Sequence, residues 1–332
     1  MTSNAIDVHG HWVPQSFLDE VVRHQPFGVT AELTDGKYLL TFPGQKQLRP
    51  VAGVMLDTTD RTDWFSKQGV GHQVVAPWLD VHGQELPAAD GATWVRMLND
   101  AMAESVSSAA LGVTAHATLH LADPAAAATE LRRAVTELGM RSAMLPVAQP
   151  VGKLSDPGFD DLWATAEELD VPVVLHPPTK APSSDLMAQF PALKGLFGRQ
   201  IDSTLTAAEL ITTGVLDRFP NLRLVLVHGG GFLPYQAARF DRDAKGGDPQ
   251  RRLPSEIVRS LYYDSVLLSP EAVRFLYDYI GHERVLVGSD FGAAPVERAG
   301  VRVTAAVTAA SDDATTTDAV LTGNARSLFG VS

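Results

Sequence analysis

At 332 residues, with 45% hydrophobic and 20% charged side chains, the chain has the composition of a large globular enzyme, which excludes disorder as its governing property. A net charge of −12, with no Lys/Arg cluster beyond Arg251-Arg252, argues against nucleic acid, whose phosphates need a positive face. The absence of cysteine excludes disulfides and thiolate metal sites, so any metal must take imidazole and carboxylate ligands.

The first apolar run, residues 5–8, leads directly into Asp7-Val8-His9-Gly10-His11-Trp12-Val13-Pro14. Residues i and i+2 of a strand point to one side, so His9 and His11 can converge on one ion. Because this run starts within a few residues of Met1 and no apolar run is long enough to span a bilayer, a cytoplasmic protein without signal peptide or membrane contact is expected. Residues 28–43 carry two β-type runs around Thr34-Asp35-Gly36 and predict a β-hairpin, part of a small insertion over about 24–50.

Further β-type runs follow at 72–78, 113–119, 142–149, 171–177, 222–230, 261–266 and 284–290. Helical spacing recurs at 58–68, 92–111, 124–138, 159–169, 195–213 and 269–280, with Gly69, Gly139, Gly214 and Gly281 as stops. Residues 178–195, rich in proline, predict a long loop that either covers the mouth or is a surface insertion. Residues 311–318 predict a polar loop before a last helix. Eight strands alternating with helices predict a single (β/α)₈ TIM barrel over 1–332, whose active site lies at the strand C-termini.

Metal-capable side chains fall at those termini on the first, fifth, sixth and eighth strands: His9 and His11, His176, His228 and Asp290. We assign His9, His11, His176 and Asp290 as ligands of one divalent cation, and His228 as a general acid or base, with a fifth-ligand role as the alternative. The end of the fourth strand, Val147-Ala148-Gln149-Pro150, offers no bridging lysine or glutamate, so one metal per chain is expected. Gly229-Gly230-Gly231 reads as room for substrate more than as a phosphate cradle. Trp12 and Trp78, at strand ends, suit either an indole wall for a flat substrate or core packing. His24, His72, His82, His116, His120 and His282 stay outside the site, His116 as a packed core histidine.

The order of these motifs, from His9-Gly10-His11-Trp12-Val13-Pro14 to Gly323-Asn324-Ala325-Arg326-Ser327-Leu328-Phe329-Gly330, resembles the amidohydrolase superfamily, in the branch of aminocarboxymuconate-semialdehyde decarboxylase and related decarboxylases. The resemblance implies a metal-dependent barrel that removes a carboxylate from an aromatic or dienoic acid without a redox cofactor. It implies the same four ligands and His228 as catalytic histidine. It also implies Arg49 as the residue that holds a substrate carboxylate, and Arg239 as an arginine contributed to a neighbouring subunit's site, hence a homodimer or larger homo-oligomer. Relatives acting on resorcylate-type acids often carry Glu in place of the first histidine and favour Mn²⁺, so His9 points to Zn²⁺, with Mn²⁺ as the alternative. Departures from the usual family runs at 51–60 and just after Asp290 leave the particular substrate open.

The expected activity is therefore non-oxidative decarboxylation of a small aromatic or dienoic acid, with Arg49 orienting an anionic group and His228 or Asp290 managing the proton. The alternative is hydrolysis or hydration by a metal-activated water at the same site.

Overall fold

Eight parallel strands close around a common axis in the computed structural model, which describes residues 4–56, 58–148, 152–244, 251–293 and 302–331. In chain order the strands are β1 (Ala5–His11), β2 (Thr30–Thr34), β3 (Lys37–Thr41), β4 (Val70–Ala76), β5 (Gly112–Thr118), β6 (Ser142–Pro146), β7 (Val173–His176), β8 (Leu224–Leu226), β9 (Tyr262–Asp264) and β10 (Val285–Leu286). The large sheet runs β1-β4-β5-β6-β7-β8-β9-β10, and β2 and β3 form the predicted hairpin apart from it. Its two ends meet through bridges from Asp7 to Val287 and from Gly10 to Phe291, where Val8 N donates to Val287 O at 2.9 Å and His11 N to Phe291 O at 2.9 Å. The barrel closes at the strand that carries the histidine pair.

Packing follows the two-residue period of the strands. Ile6, Val8, Val74, Ala76, Met144, Val174, Val225, Val227 and Leu286 form one buried cluster with Leu328 and Phe329 of the last helix, Asn324–Phe329. The alternate set, including Val75, Ala115, Ala143, Leu145, Val173, Leu175 and Leu224, packs in a second cluster with helix residues such as Leu131, Leu162 and Leu210. His176 follows Val174 by two residues and so continues the first row. Burying rows of branched apolar side chains on both faces is what holds eight short strands in a fixed register, at about 25 cal/mol per Å² of apolar surface removed from water.

Helices Thr58–Gln68, Ala88–Ser108, Pro124–Thr136, Asp160–Glu168, Arg199–Thr212 and Pro270–Tyr279 match the predicted helical stretches. Pro124–Thr136 starts where Asp123 caps the amides of Ala125 and Ala126 at 3.1 Å, with Pro124 in the first turn. Gln15–His24, Leu233–Ala244, Pro254–Ser260 and Val303–Ala310 are further helices that the spacing did not single out. Residues 311–318 are not all loop, because Asp313 accepts the Thr316 amide and starts the helix Ala314–Asp318. Residues 178–195 fold into short pieces, among them Ser183–Met187 and Pro191–Leu193. Gln149 and Pro150, at the end of the fourth barrel strand, lie outside the described residues. No helix among the described residues is long and apolar enough to cross a membrane.

Candidate metal centre

His9 and His11 on β1, His176 at the end of β7 and Asp290, four residues beyond β10, offer donor atoms that all lie within 4.8 Å of one another, and all four residues are buried. Asp290 Oδ1 lies 3.0 Å from His11 Nε2, 3.3 Å from His9 Nε2 and 3.9 Å from His176 Nε2. The outer nitrogens of two rings are already engaged. His9 Nδ1 bonds Asp264 Oδ2 at 2.6 Å, and His176 Nδ1 donates to Pro177 O at 3.0 Å, so each ring presents Nε2 inward. The buried Nε2 atoms of His9 and His176 have no hydrogen-bond partner. Orphaned imidazole nitrogens converging on a carboxylate oxygen fit a divalent cation, and three nitrogens with one oxygen is a donor set for Zn²⁺ or a similar ion.

The electrostatics have the same cause. Burial would push Asp290 up, but the His9 charge, the His11 hydrogen bond and the His176 and His228 rings facing it outweigh this and hold the carboxyl well below its usual range. Burial pulls His11 and His176 down. Burial pulls His9 down too, yet the Asp290 and Asp264 carboxylates overcome this and raise it to about 10.

His228 faces the other oxygen of the same carboxylate, its Nε2 3.5 Å from Asp290 Oδ2, and its ring centroid lies 5.3 Å from that of His9 and 5.5 Å from that of His176. Residues 227–230, predicted to continue the strand, instead turn sharply, and both His228 and Asp290 sit in the left-handed region at φ +54° and +56°. Such a backbone costs about 1–3 kcal/mol at a non-glycine residue and persists where surrounding structure fixes it. The three glycines that follow leave no open space. A Cβ on Gly229 would lie 2.6 Å from the Leu267 side chain, one on Gly230 2.5 Å from the Tyr263 ring, and one on Gly231 2.6 Å from Gln200 O. The run is glycine for close packing and positive φ, which corrects its reading as room for substrate.

Asp264, Asp7, Arg61, Gln73 and Ser289 support the centre and were not singled out from the sequence. Asp264 Oδ1 accepts the amides of Gly229 and Val266 at 3.1 Å while Oδ2 holds His9, so one carboxylate ties a ligand to the His228 turn. Asp7 accepts Ser289 Oγ and Gln73 Nε2, both at 2.5 Å, and its burial raises it to about 6 despite these bonds. Gln73 in turn accepts from the buried Arg61, whose Nη2 donates to His11 O at 2.7 Å. Gly10 is required between the two histidines, since a Cβ there would lie 2.4 Å from Gln73 Cδ. Asp264 repeats the strand-end pattern that flagged the ligands, whereas Arg61 lies on a helix and leaves no such signal.

Arg49 is exposed, and its guanidinium stacks 4.3 Å over the Trp78 ring. Trp78 and Trp12 are themselves buried, Trp12 with the Arg61 guanidinium 5.2 Å from its ring. Arg239 is exposed on the helix Leu233–Ala244, which begins two residues after the glycine run. His116 is a packed core histidine as expected: Nε2 donates to Val8 O at 3.2 Å and Nδ1 accepts from Ser142 Oγ at 2.6 Å.

With this geometry in place, comparison with known proteins gives a consistent picture. The chain is 35% identical over 163 residues to decarboxylase orsB of Emericella nidulans, covering 46% of this chain and 49% of that protein, so it spans about half the length of that relative. It is 25% identical over 293 residues to 2-amino-3-carboxymuconate-6-semialdehyde decarboxylase of Dictyostelium discoideum, covering 86% and 81%. In fold it matches 5-carboxyvanillate decarboxylase LigW from Sphingomonas paucimobilis, with a TM-score of 0.83 at 23% identity over 99% of both chains. It also matches, at a TM-score of 0.79 and 21% identity over 99% of this chain and 97% of the other, a dihydroxybenzoic acid decarboxylase from Polaromonas sp. with bound manganese. The profile of the family described as Amidohydrolase matches residues 6–331, and the chain belongs to that family.

Proposed function

We propose that the protein is a metal-dependent decarboxylase of a small aromatic or dienoic carboxylic acid that uses no redox cofactor. The observation that carries the proposal is the division of labour at Asp290, with Oδ1 facing the ligand nitrogens and Oδ2 facing His228. The activities named for the relatives support it. The cation supplies Lewis acidity toward a substrate oxygen next to the departing carboxylate. We propose zinc as that cation, on the strength of three imidazole donors.

The remaining steps fall to the chain. Arg49, steadied on Trp78, binds the substrate carboxylate through its planar fork. The bond to that carboxylate breaks, carbon dioxide leaves, and the electron pair stays on the ring or diene carbon. His228 delivers a proton to that carbon from Nε2, and Asp290 Oδ2 steadies the protonated imidazole beforehand. Burial keeps water from competing for the carbanionic carbon.

Arg239 is proposed to reach a second copy's site, which requires a dimer. Its helix presents Tyr235, 78% exposed, one turn earlier, next to the exposed Phe232 and Phe275. Incubating metal-loaded protein with hydroxy-, amino- and keto-substituted aromatic and dienoic acids, amides and lactones tests the activity. Release of carbon dioxide from an acid supports decarboxylation, and addition of water to a panel member with no release of carbon dioxide replaces it with a hydrolase or hydratase on the same residues.

A further inference from the structure

Two residues beyond the ligand His176 the chain forms a cavity of about 160 Å³, whose wall includes Thr179, Ser183, Ser184, Lys194, Arg199 and Asp202. Arg199 opens the helix Arg199–Thr212 and is only half buried. Among the described residues it donates no hydrogen bond and joins no ion pair, and the same holds for Lys194. The carboxylate in the wall, Asp202, pairs with neither cation and accepts instead the Ser183 amide at 2.9 Å and the Ser183 hydroxyl at 2.6 Å. Thr179 Oγ1 is buried without a partner.

The cavity belongs to the neighbourhood of the metal centre. The first turn of the Arg199–Thr212 helix packs against the His228 turn, where a Cβ on Gly231 would meet Gln200 O and where Phe232 N donates to Thr204 Oγ1 at 2.8 Å. A planar guanidinium with unused donors on a cavity wall that also carries a lysine suits a carboxylate, which it can hold with two hydrogen bonds.

We propose that Arg199, with Lys194, binds a second carboxylate of the substrate, separate from the one that departs, and so selects dicarboxylic over monocarboxylic acids. This rests on the decarboxylase reading above, which places the reacting group at the metal. The hydroxyls of Ser184 and Thr179 complete the subsite.

Calorimetric titration of the zinc-loaded protein with benzoate and with benzene-1,3-dicarboxylate tests it. The dicarboxylate should bind about tenfold or more tightly, and Arg199→Gln should abolish that preference while leaving benzoate affinity and metal content unchanged. Arg199→Lys, which keeps the charge but not the fork, should lose part of the preference, and it takes over the test if the glutamine variant does not fold. A wild-type protein without the preference, or variants that retain it in full, would overturn the subsite. Because the readout is a ratio of binding constants, it is separable from the reaction: a panel in which no acid loses carbon dioxide while the preference persists rejects the decarboxylase reading alone.

Discussion

His9 Nδ1 and Asp264 Oδ2 are 2.6 Å apart, both fully buried, and Asp264 holds the Gly229 amide with its other oxygen. The ligand ring and the backbone behind His228 are thus positioned by one carboxylate. Asp264→Asn keeps the shape but weakens this orientation. We expect metal affinity to fall about 10–100-fold, read by competition with a chromophoric chelator. Unchanged affinity would remove Asp264 from that role.

His228 meets Asp290 Oδ2 at 3.5 Å while Oδ1 faces the ligand nitrogens, so its loss should separate metal binding from chemistry. His228→Asn is expected to retain stoichiometric metal while kcat drops by about 100-fold or more. Asp290→Asn should lose both metal and turnover, since its Oδ1 faces all three ligand rings. Full turnover in His228→Asn would eliminate that histidine as the proton carrier.

The Arg49 guanidinium stacks 4.3 Å over the Trp78 indole, where a carboxylate could reach its planar fork. Steady-state kinetics of Arg49→Ala should therefore show KM raised by about tenfold or more, with metal content unchanged. An unaltered KM would return Arg49 to an ordinary surface charge.

His116 gives the fold a pH dependence. Burial lowers it from 6.5 to about 3, so the unfolded chain binds a proton that the folded chain refuses. Stability is then complete above about pH 6.5 and declines as the pH falls toward 3, by up to roughly 1.4 kcal/mol per unit of pH. Urea unfolding at a series of pH values should show this decline and show it flattened in His116→Gln. An identical slope in the variant would assign the decline to other groups.

Gly231 combines φ +63° with a backbone oxygen 2.6 Å from where a Cβ would sit. Gly231→Ala should cost more than about 2 kcal/mol, because neither the backbone angle nor the Gln200 carbonyl can give way cheaply. A urea midpoint equal to that of the parent protein would contradict this.

Much of the centre was legible because the barrel repeats one rule, an apolar strand ending in a chemistry-bearing side chain. That rule located His9, His11, His176, His228 and Asp290 and, with the alternation of helices, the barrel itself. Asp264 obeys the rule inside the predicted run 261–266, but Ser265-Val266 continue that run, so its side chain does not mark a strand end in the sequence. Arg61 and Arg199 could not be read this way, since each sits on a helix and gains its place only when that helix packs on the barrel end. The glycine run was misread because spacing cannot distinguish a residue that is small to admit a ligand from one that is small to admit Leu267, Tyr263 and the Gln200 carbonyl.

The most direct measurement is turnover of an aromatic or dienoic acid by the zinc-loaded protein in deuterium oxide, with product mass and ring position read together. The account predicts loss of carbon dioxide and one deuterium at the carbon that carried it, with both lost on chelation and in His228→Asn. A product that has gained water and kept its carboxylate, or one formed equally well by His228→Asn, would contradict it.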